Sequence, residues 1–366
     1  MESALSAGAE TESTTHPRRP GKESTPRPAR HRTAPRHPHH PQGETSVSFL
    51  GIDVGGTKVA LRLGPAVPGA PAAPDTVVRW PAPGDAEADM RALADAVRRA
   101  CAGQGRPVTA VGVAVPATLD TAGRVRGWPN RPSWHGLDLR ARIAAMVSGA
   151  PVHTADDGDL AALAEADAAG CPDLVHIGVG TGIGGGIVLG GRLCPGPDRG
   201  SCEVGHVVVD RMGERCDCGR RGCVQSVASG RTVLRRAGER AGREVTFGEL
   251  RQAWTQGEAW AVAPVTDGAM AVAAAAVSLA ELVHPRLVTI GGGFADGMPG
   301  YVEEVARWTR ELGRTPGPDP AVRPAALGGL SSLDGAVLLA RAAAGDRALT
   351  VDAPVDAAVP VDAFAA

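Results

Sequence analysis

The chain has 366 residues and a formal charge of −2, with 43% hydrophobic and only 3% aromatic residues. At about 150 residues per domain this allows two or three domains, and 38 basic against 40 acidic side chains exclude a global field that recruits nucleic acid or an anionic membrane. No stretch reaches the ~20 uncharged apolar residues that span a bilayer. The most apolar helix is expected over Ala269 to Val283, too short to cross and ended at Glu281. The N-terminus lacks the apolar core of a signal peptide, and seven Cys in this length do not make a disulfide scaffold, so the expected location is the cytoplasm.

Residues 1–46 are rich in Pro, Arg, His, Ser and Thr, as in Arg36-His37-Pro38-His39-His40-Pro41. So few large apolar side chains cannot offset the ordering entropy, which predicts a disordered tail without a helix-turn-helix. Val47 to Leu50 with Ile52 reads as a strand, Gly55-Gly56 as a turn and Lys58 to Leu63 as a second strand, together a hairpin. Asp85 to Ala102 has helical spacing, Val108 to Val115 is a buried strand ended by Pro116, and Leu137 to Met146 is a helix. A second glycine hairpin follows: strand Val175 to Val179, turn Gly180 to Gly186, strand Ile187 to Leu189. Two such hairpins, about 125 residues apart, point to two related lobes facing each other. Leu287 to Ile290 is a strand running into Gly291-Gly292-Gly293, and Leu333 to Ala344 is a last helix before a loose Ala/Val/Asp/Pro tail.

Four motifs can carry chemistry. In Asp53-Val54-Gly55-Gly56-Thr57-Lys58 the glycines let backbone N–H groups approach phosphate oxygens, and Asp53 at the strand end can hold a hydrated Mg²⁺. Gly178 to Gly186 contains a literal G-x-G-x-x-G at Gly180 to Gly185, but it leads into a strand where a dinucleotide fingerprint must open a helix, so it is a phosphate turn and not a Rossmann site. Asp156-Asp157-Gly158-Asp159 precedes a helix over Leu160 to Ala168; one Asp is explained as an N-cap, three are not, and both Asp156 and Asp157 are candidate bases. His206, Cys216, Cys218 and Cys223 supply one imidazole and three thiols, a closed tetrahedral shell for structural Zn²⁺. Cys101, Cys171, Cys194 and Cys202 read as small buried hydrophobes.

In this order the motifs resemble the ROK family (repressors, open reading frames and sugar kinases) of the actin-like ATPase superfamily, over roughly Phe49 to Ala344. Asp53 to Lys58 is similar to the family's first phosphate motif, and Gly178 to Gly186, with Gly180, Thr181, Gly182 and Gly184, to its second. Gly291, Gly292 and Gly293 resemble its adenosine-side turn. Pro129-Asn130 with Trp134 resembles the substrate loop, Glu203-Val204-Gly205-His206 the E-x-G-H element that faces the sugar, and Cys216 to Cys223 the motif C-x-C-G-x-x-G-C.

The resemblance implies an α/β fold of two actin-like (ribonuclease H-like) lobes, 47–152 and 153–331, with a cleft between them and a structural zinc loop in the second. A helix over 332–345 would pack back on the first lobe, and 346–366 would be loose. It implies a kinase using ATP, Mg²⁺ and structural Zn²⁺, with sugar contacts from Asn130, Asp156, Asp157, Glu203, His206 and Gln225. Asp157 takes the catalytic place, accepting late the proton of a primary alcohol attacking the γ-phosphorus. His206 would link the zinc loop to the sugar through its second ring nitrogen. A homodimer, paired through the Ala269 to Leu282 helix, is the implied assembly. Three departures point away from plain glucose: Gln225 stands where glucose-phosphorylating relatives have Glu, Ala117 stands where many have Gly, and Asp156 and Asp159 replace two Asn. A glucose-like hexose or a C7-cyclitol carbasugar is the expected acceptor, with a plain glucokinase as the alternative. From another class, a sugar-responsive regulator without a recognisable DNA-binding domain and a sugar-binding pseudokinase are the competing readings. Only ~46 residues precede the first phosphate motif, which argues against DNA binding.

Overall fold

The computed structural model describes residues 48–64, 74–81, 84–102, 107–196 and 199–345. The tails expected at 1–46 and 346–366 lie outside the described residues.

The first sheet grows from Ser48–Val54 (β1), buried at every position but Asp53. Lys58–Gly64 (β2) and Thr76–Arg79 (β3) continue it antiparallel on one side. Helix Ala86–Cys101 (α1) leads to Val108–Ala114 (β4), parallel to β1. A small ribbon of Thr118–Leu119 (β5) and Val125–Gly127 (β6) and helix Leu139–Met146 (α2) then lead to Val152–Ala155 (β7), parallel to β4. The strand order is β3-β2-β1-β4-β7.

Helix Asp157–Ala169 (α3) carries the chain to a second sheet with the same plan. Leu174–Val179 (β8) pairs antiparallel with Ile183–Leu189 (β9), which pairs with Arg192–Cys194 (β10). Four helices follow, Val224–Ala228 (α4), Gly230–Ala241 (α5), Phe247–Gln256 (α6) and Ala259–Val283 (α7). Leu287–Gly291 (β11) returns parallel to β8, and after Gly293–Gly297 (α8) and Tyr301–Leu312 (α9) comes Ala321–Pro324 (β12), parallel to β11. The order β10-β9-β8-β11-β12 repeats the first sheet strand for strand. Last, Ser331–Ala343 (α10) crosses back onto β1, β4 and α3.

Several expected bounds shift. The turn in the second hairpin is only Gly180 to Gly182, because Gly184, Gly185 and Gly186 are inside β9. The reason is close approach: a Cβ on Gly186 would stand 2.7 Å from the Asp159 Cα and 2.8 Å from the Ala162 Cβ, so α3 rests directly on a strand of glycines. The acidic run is likewise not ahead of its helix but forms its cap and first turn, with Asp156 the N-cap. Helix α7 has 25 residues, beginning ten before the expected Ala269, and is long and apolar enough to cross a membrane by length and composition. One face (Ala261, Val265, Ala269, Val272, Ala276) is fully buried, and the helix packs on α4, α5, α6 and α9 as the spine of the second core. The four scattered cysteines are half-buried rather than buried.

A buried ion pair organises the first lobe. Asp89 on α1 receives both oxygens' worth of bonding from Arg131 Nη1, at 2.9 and 2.7 Å, and a further hydrogen bond from Trp134 Nε1 at 2.8 Å. Removing one partner of a pair at this depth leaves an uncompensated charge costing about 3–5 kcal/mol. Arg131 Nε also donates to the Gly56 carbonyl at 3.2 Å, so the pair anchors the first glycine turn to α1.

Candidate active site

The site begins at the end of β1. The carbonyls of Gly55, Gly56 and Thr57 accept from Trp80 Nε1, Arg131 Nε and the Trp80 backbone N–H, which holds the turn in one shape. Asn130 stands over this turn: a Cβ on Gly56 would lie 3.2 Å from the Asn130 Cβ and its amide nitrogen. Thr57 and Lys58 are exposed. Asp53 is half-buried. Burial pushes its carboxyl up to about 6; the nearby Asp157 charge adds to this, and a hydrogen bond from Ser332 and the charge of Lys58 oppose it.

Helix α3 supplies the centre. Its first N–H groups lack intrahelical partners, and the Gly158 N–H donates to both Asp156 Oδ1 at 3.0 Å and Asp157 Oδ1 at 2.9 Å. The three aspartates divide between two cavities. Asp157 lines one of about 250 Å³ walled by Gly178, Gly180, Gly182 and Gly184 of the second sheet's glycine hairpin, by Gly292 ahead of α8, and by Gly328, Gly329, Ser331 and Ser332 before and within α10. Asp156 and Asp159 line the other, of about 400 Å³, with Pro116, Ala117, Asp120, Arg140, Ser201 and Glu203 among its walls. One helical turn therefore presents one carboxylate to a glycine-lined chamber and two to an acidic one.

Burial is the main cause in pushing all three carboxyls up: Asp159 to about 7, Asp156 to about 8, and Asp157 also above the usual range. Asp157, Asp159 and Glu203 raise Asp156 further, and only the Gly158 N–H opposes. The sign for stability follows. The unfolded chain releases these protons near pH 4, whereas the folded chain holds them to about pH 7–8 at Asp159 and Asp156, so folded protein binds more protons and loses stability as pH rises. His176, buried and pushed down to about 4, acts below the unfolded value of 6.5 and leaves higher pH untouched. The melting temperature of ligand-free protein is thus expected to fall between about pH 6.5 and 8.5, and Asp156→Asn to flatten that fall. A melting temperature constant or rising over this interval contradicts the electrostatic picture.

The remaining expected residues are placed as follows. Gly291 ends β11, Gly292 has φ 92° at the start of α8 and lines the glycine chamber, and Gly293 is exposed. Thr181 is exposed at the second turn. Glu203 lines the acidic cavity, its Oε1 accepting from Ser201 Oγ at 2.8 Å. Gln225 lines neither cavity: its Oε1 accepts from the Ile183 N–H at 3.0 Å and so braces the second glycine turn. His206, half-buried, sits at the cysteine loop with Nδ1 3.6 Å from the Cys216 sulfur, and Cys218 and Cys223 sulfurs are also 3.6 Å apart. All four potential ligand atoms lie within 4.8 Å of one another. Metal bonds of 2.0–2.3 Å in a tetrahedron give ligand–ligand edges of about 3.6–3.8 Å, so the donor set fits Zn²⁺. Gly222 in this loop has φ 68°, and a Cβ there would lie 1.5 Å from the Asp210 carbonyl oxygen, which no other residue type allows.

Sequence reasoning missed the segment before α10. Glu165 of α3, buried, accepts from the Ala326 and Leu327 N–H groups at 2.8 and 2.9 Å and from Ser331 Oγ at 3.2 Å. That clamp holds Gly328 to Ser332 over the glycine chamber, and the signal was legible as Gly328-Gly329-Leu330-Ser331-Ser332.

Two sheets of identical strand order, joined by α3 and α10 with the chambers between their ends, define a two-domain actin-like α/β protein. The ROK family model matches residues 49–343, and the chain belongs to the ROK family. It is 50% identical over 291 residues, 80% of this chain and 95% of that protein, to a kanosamine kinase of Amycolatopsis mediterranei. Among solved structures, a ROK hexokinase from Thermus thermophilus is similar with a TM-score of 0.74 and 34% identity, covering 82% of this chain and all of that one. A ROK family glucokinase from Streptomyces griseus, in complex with glucose and AMPPNP, is similar with a TM-score of 0.66 and 30% identity, covering 81% and 99%. The protein is a sugar kinase, a phosphotransferase with an alcohol acceptor.

Proposed function

We propose that the chain transfers the γ-phosphoryl group of ATP to the primary hydroxyl of a glucose-like hexose, with Asp157 as general base. The observation that carries this reading is the first turn of α3, where Asp157 borders the glycine chamber while Asp156 and Asp159 border the acidic cavity. Phosphates beside the glycine backbones and a sugar beside the carboxylates would meet at Asp157. The sugar oxygen bonds to phosphorus as the bond to the bridging oxygen breaks and its electron pair stays on ADP. The hydroxyl proton passes to Asp157, whose raised pKa makes it a better acceptor near neutrality.

Asp53 would hold Mg²⁺ through water; its buried carboxyl, opposed by Asp157 and displaced upward to about 6, suits a site that receives a cation. Bound there, Mg²⁺ would neutralise phosphate charge. His206, Cys216, Cys218 and Cys223 would hold Zn²⁺, a closed shell without a reactive position. We assign the two lobes to 47–152 and 153–331, with α10 packed on the first, and take the enzyme to act in the cytoplasm as a homodimer.

Kanosamine is an amino hexose, so the likeness to its kinase supports an amino hexose among the acceptors. A carbasugar remains a further acceptor to test. An ADP-release assay with glucose, kanosamine, N-acetylmannosamine and a C7-cyclitol is the direct measurement. Saturable release with at least one hexose, with the product phosphorylated on its primary carbon, is expected. Failure with every hexose at millimolar concentration overturns the proposal.

A further inference from the structure

The acidic cavity is poorly balanced for a neutral sugar. Asp120, Asp156, Asp159 and Glu203 line it against a single guanidinium, Arg140, whose Nη1 donates to the Thr121 carbonyl at 3.5 Å and whose buried Nε makes no hydrogen bond. Asp120 is satisfied locally, by the Ala122 and Arg124 N–H groups and by Arg126 at 3.5 Å. The other three have no cationic donor: the Gly158 N–H reaches Asp156, whose side chain also meets that of Asp157, the Cys202 N–H reaches Asp159 at 3.3 Å, and Ser201 Oγ reaches Glu203. Among the described residues no ion pair engages any of these three, and the strongest charges acting on Asp156 are the other carboxylates. Asp156 and Asp159, with Glu203 beside them, share a cavity of about 400 Å³ in which burial and neighbouring carboxylates hold both aspartates above the usual range, a cost that a positive charge in the cavity offsets and a hydroxylated ring does not.

A divalent cation is the first thing such a set of carboxyls suggests, but the oxygens do not converge. Among the described residues the only group whose ligand atoms lie within 4.8 Å of one another is the His206 and cysteine set. The carboxylates line a space of about 400 Å³ without meeting at one point. A molecule carrying its own positive charge at one point of its rim fits this arrangement better than a bare ion at the centre.

We infer that Asp156 is the specificity-determining carboxylate of the acceptor site, selecting a hexose that bears a protonated amine over the corresponding neutral sugar, with Glu203 and Asp159 adding to the field. This rests on the kinase reading above and deepens it. The carboxyl of Asp156 is fixed by its own role as helix cap, because Oδ1 is held by the Gly158 N–H. It is pinned beside the cavity without side-chain entropy left to lose. An ammonium brings three donors and a full charge, whereas a hydroxyl in the same place brings one donor and a dipole. A charge-assisted hydrogen bond contributes about 1.5–3 kcal/mol, roughly 10–150-fold in kcat/KM. An Asn at this position accepts the same hydrogen bond without the charge, so it should lose most of the discrimination. The burial that displaces the Asp156 carboxyl to about 8 is then the cost an incoming ammonium offsets.

The test compares kcat/KM for kanosamine (3-amino-3-deoxyglucose), glucosamine, N-acetylglucosamine and glucose, in the full-length protein and in Asp156→Asn. Wild type should prefer at least one free amine over glucose by about 10-fold or more and gain nothing from the N-acetyl group, which is uncharged. In Asp156→Asn the ratio of amine to glucose should fall about 10–100-fold. Glu203→Gln, at an exposed residue whose side chain makes no capping bond, should lower the same ratio by a smaller factor and serves if Asp156→Asn does not fold. Thermal shift of the wild type gives an independent reading, with kanosamine stabilising more than glucose at equal concentration. A wild type that uses glucose as well as the amines overturns the inference and leaves the kinase reading intact, as do variants that scale all four sugars equally. A changed Mg²⁺ requirement with an unmoved sugar ratio would assign Asp156 to the metal and also overturn it. Turnover of none of the sugars would instead remove the kinase reading itself.

Discussion

Asp157→Asn is expected to lower kcat by at least about 10²–10⁴-fold, while KM for nucleotide and sugar moves by a few-fold at most. The substitution keeps shape and volume, and the amide oxygen can still accept the Gly158 N–H that now reaches Asp157 Oδ1 at 2.9 Å. What disappears is the capacity to take a proton from the attacking hydroxyl. The split between kcat and KM separates this from a structural defect, which would move both. Wild-type kcat/KM should also fall as pH drops, because the base must be ionised and its pKa lies above the ordinary carboxylate value. Asp156 lies close enough to couple to it, so the apparent value would belong to the pair and would shift in Asp156→Asn. Steady-state kinetics with single-turnover phosphoryl transfer is the measurement. An Asp157→Asn enzyme with unaltered turnover removes the residue from catalysis.

The parts of this molecule that were legible in the sequence share a physical cause. Both hairpins combine apolar strands with glycine turns, and a buried strand that runs into such a turn has few other readings. The acidic run and the cysteine spacing were legible because surplus carboxylates and clustered thiols have few structural explanations. What was not legible depends on neighbours. The strands β3, β10 and β12 are three or four residues long and exist because a sheet edge was free to pair, so no periodicity announces them. Three glycines in β9 contradict strand propensity, and only the contact with α3 explains them. Pro264, the sixth residue of α7 and inside it, hid its first ten residues, because a Pro there removes an intrahelical hydrogen bond and ordinarily marks a helix boundary. Helix α6 could have been found, since Thr246 and Glu249 form a reciprocal capping box.

The same dependence on neighbours explains the site. Asp157 was singled out by a motif, but its partition from Asp156 and Asp159 follows from helical geometry: positions three apart share a side, and the residue after the cap does not. Gln225 illustrates the converse. An amide two residues after Cys223 could serve a sugar or a backbone, and the turn at Ile183 takes it. On the kinase reading proposed above, a side chain bracing that turn would act on nucleotide binding rather than on the sugar, and the Gln225 departure would bear on the donor side of the reaction.

Loss of the cysteine loop's metal should act on the sugar side. One zinc per chain is expected by metal analysis of protein purified without chelator, and Cys218→Ser should abolish it. Cys218 is the exposed member of the set, whereas Cys216 and Cys223 are buried, so this substitution removes a ligand with little packing. Structural zinc binds short peptides with an apparent ~10–16 kcal/mol, most of it organising the chain around the ion. Here the loop keeps some order of its own, because the Gly222 N–H donates to the Glu214 carbonyl and the Cys216 N–H to the Arg220 carbonyl. The two sheets do not depend on it, and the expected outcome is local loosening with a modest fall in melting temperature. The loosening reaches the acidic cavity by a short path. His206 closes the turn that starts at Glu203, and Val204 and Gly205 between them are buried, the latter so close that a Cβ would meet the Ile183 carbonyl oxygen at 2.1 Å. Freed of its metal partner, His206 no longer fixes that turn, and Glu203 loses its place on the cavity wall. KM for the sugar should rise roughly 10–100-fold, with KM for ATP changed far less. Equal loss on both substrates would mean general unfolding, and full activity in a metal-free protein would show that the four side chains hold no working ion.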